Sequence, residues 1–473
     1  MISAQHIDAL RGLLGEKGLI SDPQGMEAYR IGARYDEGLA ALVLRPATTA
    51  EVSLAVGYCV RHGIALVAQS GNTGLVAGST PDSSGRQAVL SLDRLNSRFA
   101  LDAANRSLHL DAGFRLSEVN RRLKEHGLFF PIDLGADPMV GGMLATNTGG
   151  SRFLKYGDVR RNTLGIKVVL ADEAGSVLDL DCDLRKNNTG VDWKQLFIGT
   201  SGAFGIVTEC VLNLERLPKQ TATAFLVPQD GARVLPLLLE MEERLGAYLS
   251  AFEGMSGAAV SAALAHVPSL RNPFQSGIVP DYLILAEISR SWAPRDGEQP
   301  LDEVLQAVLG EIFESDDAPL ADAFVGPPEQ MWALRHALSE GVKHAGRLVA
   351  FDLSFRRGDI MAFCAHMRAE LPKRFGDIAI CDFGHIGDGG VHFNLAVAKD
   401  SPALADPGFE TRLRQWVYAV AVEEFGGSFS AEHGIGRRNQ AVYDAYTPAA
   451  LKRMAGGLKA ITSPGPLGAA SFG

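Results

Sequence analysis

The chain has 473 residues, 46% hydrophobic and 21% charged, with 52 glycines and a formal net charge of −10. That length implies about two or three domains, and the composition is that of a globular, turn-rich α/β chain, which excludes a fibrous or disordered one. Acids and bases are interspersed, which excludes a general nucleic-acid surface. The scattered cysteines (Cys59, Cys182, Cys210, Cys364, Cys381) never form CxxC, which excludes a disulfide framework or a cysteine zinc site.

Residues Met1 to Leu10 lack a basic n-region and an apolar h-region, and no run approaches the roughly 20 apolar residues that span a bilayer. No transmembrane segment is expected, and a reducing, cytoplasmic setting is. After an amphipathic opening helix, residues 40–46 read as a strand ending at Pro46. A helix follows, with Thr49 as N-cap and an apolar stripe of Val52, Ala55, Val56, Cys59 and Val60. Residues 64–68 form the next strand, leading into a glycine-rich loop, so the spacing predicts a βαβ-like unit up to Gly78. Short strands and turns continue to about Leu214. Near residue 216 the pattern changes to helical periodicity (234–245, 301–313) alternating with strand-like 282–288, which predicts a second, α+β domain. Glycines return from Val417, so the carboxyl end is expected to fold back onto the first domain; Ser463 to Ala470 is expected to be poorly ordered.

The loop Gln69-Ser70-Gly71-Asn72-Thr73-Gly74 through Gly78-Ser79 follows a strand and suits a pyrophosphate, because glycine lets backbone N–H groups approach without a Cβ in the way. It is neither GxGxxG nor a P-loop, and alone it reads equally well as a mobile surface loop. Three companions follow in order: Pro138-Met139-Val140-Gly141-Gly142-Met143-Leu144-Ala145-Thr146-Asn147-Thr148-Gly149-Gly150, then Tyr156 to Asn162 leading into a strand, then Leu196 to Thr208 with its Gly199-Thr200-Ser201-Gly202 core. This ordered set resembles the FAD-binding domain of the vanillyl-alcohol oxidase, or PCMH-type, flavoproteins. The resemblance implies an α+β fold: a PCMH-type FAD-binding domain of two α/β subdomains over 1–216, a substrate (cap) domain with an antiparallel sheet over 217–425, and a segment 426–473 packing back on the first. It also implies that Gln69, Ser70, Gly71, Asn72, Thr73, Gly74 and Ser79 line the pyrophosphate. Pro138, Gly141, Gly142, Ala145, Thr146, Asn147 and Gly150 would approach flavin and phosphates, with Ile206 and Val207 contacting the cofactor through backbone. The first loop has no histidine or cysteine where covalent members often attach flavin, so the FAD is expected to be non-covalent.

The stretch Gly384-His385-Ile386-Gly387-Asp388-Gly389-Gly390-Val391-His392-Phe393-Asn394 carries an Asp-Gly hairpin signal. With Asp388-Gly389 as a two-residue turn, His385 lies directly opposite His392 on one face, Cβ atoms about 5 Å apart, and the two imidazoles can share a metal. Asn394, on the same face, can present an amide beside it. Later, Ser430-Ala431-Glu432-His433-Gly434-Ile435-Gly436 supplies a carboxylate and an adjacent base. A 2-His-1-carboxylate set suits zinc, manganese or iron, although a strand histidine is more often an ordinary core or surface residue.

Both stretches are similar to the signatures of FAD-linked D-2-hydroxy-acid dehydrogenases. The similarity implies His385, His392 and Glu432 as ligands of a divalent metal (Zn²⁺ or Mn²⁺), His433 as general base, also touching substrate, and Asn394 as a substrate contact. The substrate would be a D-2-hydroxy acid of the hydroxyglutarate or lactate class, its hydride passing to flavin N5. On the helix resembling the family's substrate-side helix, Arg335 would grip a carboxylate, with Ser339 one turn on. Ala350 stands where hydroxyglutarate enzymes usually carry lysine; Lys343 or Arg347 could compensate. Electrons would pass to a flavoprotein, quinone or cytochrome acceptor, and a homodimer is compatible with the family. An oxygen-using flavin oxidase, a flavin-free metal hydrolase using the His-His-Glu set, and a silent cofactor-binding subunit are the competing readings.

Overall fold

The computed structural model describes residues 2–34, 37–274 and 277–473, which divide into two units. The first comprises residues 1–149, 157–217 and 432–473, and the second 150–156 and 218–431. The units part at Leu217/Pro218 and Ala431/Glu432, and residues 150–156 belong to the second. Among the described residues no helix is long and apolar enough to cross a membrane.

In the first unit, β1 (Leu19–Ile20), β2 (Ala40–Leu44), β3 (Leu66–Gln69) and β4 (Gln87–Ser91) form a sheet in the order β1-β2-β4-β3, with β4 parallel to both β2 and β3. Parallel strands must be covered on both faces. The Thr49–Arg61 helix covers one of them with Val52, Ala55, Val56 and Cys59, packed with Leu42, Leu44, Leu66 and Leu90. Its N-cap is Thr48, whose hydroxyl accepts the Glu51 N–H, one residue before the expected Thr49.

The second sheet is antiparallel throughout: β5 (Phe99–Asp102), β6 (Ser107–Asp111), β8 (Thr163–Val169), β9 (Val177–Leu180) and β10 (Ile206–Asn213), ordered β5-β6-β10-β8-β9. A short ribbon pairs β7 (Leu128–Phe129) with β11 (Glu215–Arg216). The tail corrects the expectation of poor order. The Leu66 N–H donates to the Pro466 carbonyl and Gly468 N–H to the Leu66 carbonyl, both at 2.9 Å, and Leu467 is 3% exposed. The tail thus extends the β3 edge, whose open N–H and C=O groups need partners, and buries one leucine in doing so.

The second unit is built on one antiparallel sheet: β12 (Gln220–Pro228), β13 (Leu249–Ser256), β14 (Tyr282–Arg290), β15 (Leu320–Gly326), β16 (Arg347–Ser354), β18 (Phe383–Gly384) and β19 (Gly390–Val397), in the order β15-β12-β14-β13-β18-β19-β16, with β17 (Ala379–Ile380) paired to β19. The Pro328–Ala345 helix lays Met331, Trp332, Leu334, Leu338 and Val342 on Phe225, Leu283, Leu285 and Phe383. Both β13 and β14 are buried at every position, yet each carries a glutamate, Glu253 and Glu287. A buried carboxylate needs partners. Glu287 takes two bonds from Arg152 (2.9 and 3.2 Å), one from Trp332 Nε1 (2.8 Å) and one from the Ser250 hydroxyl (2.8 Å). Arg152, with Lys155 on Ser289, fastens residues 150–156 into this unit.

Candidate functional site

In the first unit the glycine loop packs backbone on backbone. A Cβ on Gly71 would lie 2.9 Å from Met139 N, and one on Gly141 would lie 2.9 Å from Ala112 Cβ and 3.0 Å from Ser70 Oγ. The loop after β3 is therefore pressed onto residues 138–142, which open the Val140–Thr146 helix. Gln69 shapes it from beneath: 2% exposed, its amide donates to Tyr29 O and Ser79 O, both at 2.8 Å, while the Ser79 hydroxyl donates to Asn72 Oδ1 at 3.0 Å. The third segment joins through Ser201, whose N–H donates to Ala145 O at 2.7 Å. Thr146 Oγ1 donates to Gly142 O, and the Asn147 amide bridges Asp158 Oδ2 and Arg160 N. Ile206 and Val207 are buried on β10. Thr73 and Gly74 lie within the loop, where a Cβ on Gly74 would touch nothing nearer than Ser79 Oγ at 4.0 Å; Gly150 belongs to the second unit.

Two observations fit this cradle to a dinucleotide. The Ser70 and Ser201 hydroxyls are buried with no hydrogen-bond partner among the described residues, which is costly unless a ligand completes them. Asn72, Asn147 and Ser201 all hold positive φ (52°, 52° and 51°), a strained conformation that clusters at ligand-holding loops. The carboxyl-terminal return closes against the same loops. A Cβ on Gly434 (φ +73°) would meet Ser201 Oγ at 3.3 Å, and one on Gly436 would meet Val76 O at 2.2 Å. Arg437, which the sequence reading missed, donates to the Thr80 carbonyl and hydroxyl and to Pro81 O. Its sequence signal is the first of two adjacent arginines, Arg437-Arg438, after Gly434-Ile435-Gly436.

In the second unit His385 and His392 come together, ring centroids 5.3 Å apart and 81° between planes, by a different route from the one expected. Phe383, not His385, pairs with His392, and Asp388-Gly389 is not a two-residue turn. Only Gly389 has positive φ (105°). Asp388 Oδ1 accepts the Gly390 N–H, while Gly387 N–H is drawn away to Phe252 O, so residues 385–389 form a wider loop. A register shift of two preserves side-chain parity, which is why both imidazoles still share a face.

Each ring has a carboxylate behind it. His385 Nδ1 lies 2.7 Å from Glu253 Oε1, and His392 Nδ1 lies 3.5 Å from Asp352 Oδ1. A carboxylate on Nδ1 fixes the tautomer that leaves Nε2 as the ligating atom, so the donor set fits a divalent metal. Glu253 is 1% exposed and also receives Arg335, through Nε at 2.8 Å and Nη2 at 2.7 Å. Burial alone would raise its carboxyl, but His385 and Arg335 more than offset that and hold it at about 2. Asp352 reaches the chain again: its Oδ2 accepts the Ala431 N–H at 3.0 Å, and Ser354 and Ser428 exchange backbone bonds beside it. Glu432 and His433 are the next two residues and open the last segment of the first unit, both partly buried. Asn394 is 4% exposed, its amide donating to His392 O. Arg335 is buried against Glu253 and the Phe383 ring, whereas Ser339, one turn on, is exposed. Lys343 and Arg347 pair with Glu340 and Glu410 at solvent-exposed positions. Glu253 and Asp352 escaped the sequence reading; a single acid in an otherwise apolar strand was the available signal for Glu253.

Two family models match the chain: one described as FAD binding domain over residues 40–181, and one described as FAD linked oxidases, C-terminal domain, over residues 217–463. The mitochondrial D-2-hydroxyglutarate dehydrogenase of Rattus norvegicus is 33% identical over 449 residues, spanning 94% of this chain and 80% of that one. The Arabidopsis thaliana enzyme of the same name is 32% identical over 439 residues, covering 92% and 75%. Among solved structures, p-cresol methylhydroxylase with substrate bound superposes with a TM-score of 0.72 at 15% identity, over 98% of this chain and 94% of that one, which establishes the PCMH-type fold. The relatives' names also correct the cytoplasmic expectation: they point to the mitochondrion. Cysteine usage separates oxidising from reducing compartments but does not resolve one reducing compartment from another.

Proposed function

The chain belongs to the FAD-linked D-2-hydroxy-acid dehydrogenase family and is an FAD-dependent oxidoreductase, and from that premise we propose that it is a metal-dependent enzyme oxidising a D-2-hydroxy acid of the hydroxyglutarate or lactate class to the 2-oxo acid. The observation that carries the metal reading is the histidine pair with a carboxylate behind each Nδ1. His385, His392 and Glu432 would hold a zinc or manganese ion. When bound, the ion supplies a Lewis acid for the substrate's hydroxyl and carboxylate, and the non-covalent flavin supplies a two-electron acceptor at N5.

The chain's own residues do the rest. His433 takes the hydroxyl proton as the Cα–H leaves with its electron pair, so that one hydride and one proton depart and a C=O forms. Asn394 offers its amide beside His392 and orients the substrate, and Arg335, on the helix above Glu253, attracts its carboxylate, with Ser339 one turn on. In the cradle, Gln69 to Gly74 and Ser79 surround the pyrophosphate. Ser70 supplies a hydroxyl without a partner among the described residues, and Pro138, Gly141, Gly142, Ala145 to Asn147, Gly150, Ile206 and Val207 line the ring and phosphates. Reoxidation would be by an electron-transfer flavoprotein, quinone or cytochrome.

The test is His433→Ala. FAD should remain bound, while bleaching of the flavin by D-2-hydroxy acids is lost. Bleaching at the wild-type rate would remove His433 from the base role, and wild-type turnover after exhaustive chelation would remove the metal.

A further inference from the structure

Glu253 touches both a histidine of the metal pair and the arginine assigned to the substrate. The register Gly254↔Gly384 between β13 and β18 places Glu253 across from His385, and the Pro328–Ala345 helix lowers Arg335 onto the same carboxylate. The two oxygens divide the work: Oε1 meets His385 Nδ1 at 2.7 Å, and Oε2 meets Arg335 Nε and Nη2 at 2.8 and 2.7 Å. With 1% of its surface exposed, the carboxylate is shielded from bulk solvent, and the Phe383 ring lies 5.0 Å from the Arg335 guanidinium, closing the other side.

We propose that Glu253 is a positioning residue that sets metal affinity and substrate-carboxylate binding together. It locks the His385 tautomer that ligates and, with its other oxygen, fixes where the Arg335 guanidinium points. This rests on the reading of His385 as a metal ligand. A carboxylate behind a ligating histidine is worth about 10–100-fold in metal affinity. Because Glu253 lies in the other unit from the glycine loops 69–79 and 138–147, its loss should leave FAD content unchanged.

The experiment measures Zn²⁺ affinity by competition with a chromophoric chelator, FAD content from the absorbance spectrum, and KM against kcat, on the full-length holoprotein. Glu253→Gln and Glu253→Asp should each weaken Zn²⁺ by about 10–100-fold and raise KM for the hydroxy acid, with FAD content as in wild type. The aspartate keeps the charge but is one methylene too short to serve both partners, which retains an informative variant if the glutamine protein does not fold. Arg335→Lys should raise KM while leaving Zn²⁺ affinity within about twofold, which general loosening of the sheet would not do. His385→Asn separates the two levels. If it binds Zn²⁺ like wild type, the metal reading falls and takes the inference with it. If it loses Zn²⁺ while the Glu253 variants keep wild-type affinity and KM, the inference alone falls.

Discussion

At the scale of single residues, the second unit is governed by two acids that have no business in buried strands unless partnered. Ala251 pairs with Glu287, and Glu253 is two residues along β13, so both carboxylates point to the same face of the sheet, under one helix. Removing either partner of such a pair leaves an uncompensated buried charge, a loss of about 3–5 kcal/mol. For Glu287, burial raises the carboxyl, but Arg152 first, then Ser250 and Trp332, bring it below its ordinary value of 4.5. A carboxyl depressed by folding contributes stability that is fully present above the unfolded pKa and is lost as pH falls through the lower folded one. Urea midpoints of the wild type should therefore drop as pH is lowered below about 4.5, while Glu287→Gln, less stable at pH 7, should show a flatter profile across that window. Parallel profiles for the two proteins would refute this assignment.

At the scale of elements, the carboxyl-terminal return packs on the glycine loops proposed to hold the flavin. Gly436 admits no side chain, since its Cβ would stand 2.2 Å from Val76 O and 2.7 Å from Gly78 N, both rigid backbone. Gly436→Ala must displace the 76–78 segment, so purified protein should carry less FAD, read as a fall in the ratio of flavin to protein absorbance; full flavin content would overturn the argument. The glycine loops and both histidines were legible in sequence because their chemistry is local: a Cβ is absent, or an imidazole is present. The hairpin register was not legible, because it depends on Gly387 donating to Phe252 and on Asp388 accepting from Gly390, tertiary and side-chain bonds that a turn rule does not contain. Nor was the ordering of the tail. Its prolines and glycines read as loop, yet Pro466 and Gly468 bond Leu66 on β3. Glu253 and Asp352 stayed hidden for the same reason, since their partners lie far along the chain.

At the scale of the whole molecule, the domain order that sequence suggests differs from the way the chain distributes its charges. Residues 218–431 are continuous and look separable, but the unit they form also takes in 150–156, which brings Arg152 to Glu287 and Lys155 to Ser289. A fragment of residues 218–431 would thus keep its sheet and helices but lose the guanidinium that neutralises Glu287, leaving the carboxylate to Trp332 and Ser250 alone. The loss expected is about 3–5 kcal/mol, a large share of a domain's usual 5–15 kcal/mol, so the fragment should unfold at markedly lower urea than the second unit does in the intact chain. The cause can be isolated, because replacing a buried charge by an apolar side chain is often neutral or stabilising once its partner is gone. Glu287→Leu should therefore stabilise the fragment while destabilising the full-length protein, in which it removes the carboxylate that Arg152 meets. Opposite signs of the same substitution in the two contexts, measured as urea midpoints, would identify residues 150–156 as an electrostatic part of the second unit; a destabilising effect in both would show that Glu287 is held by β14 and its helix without them.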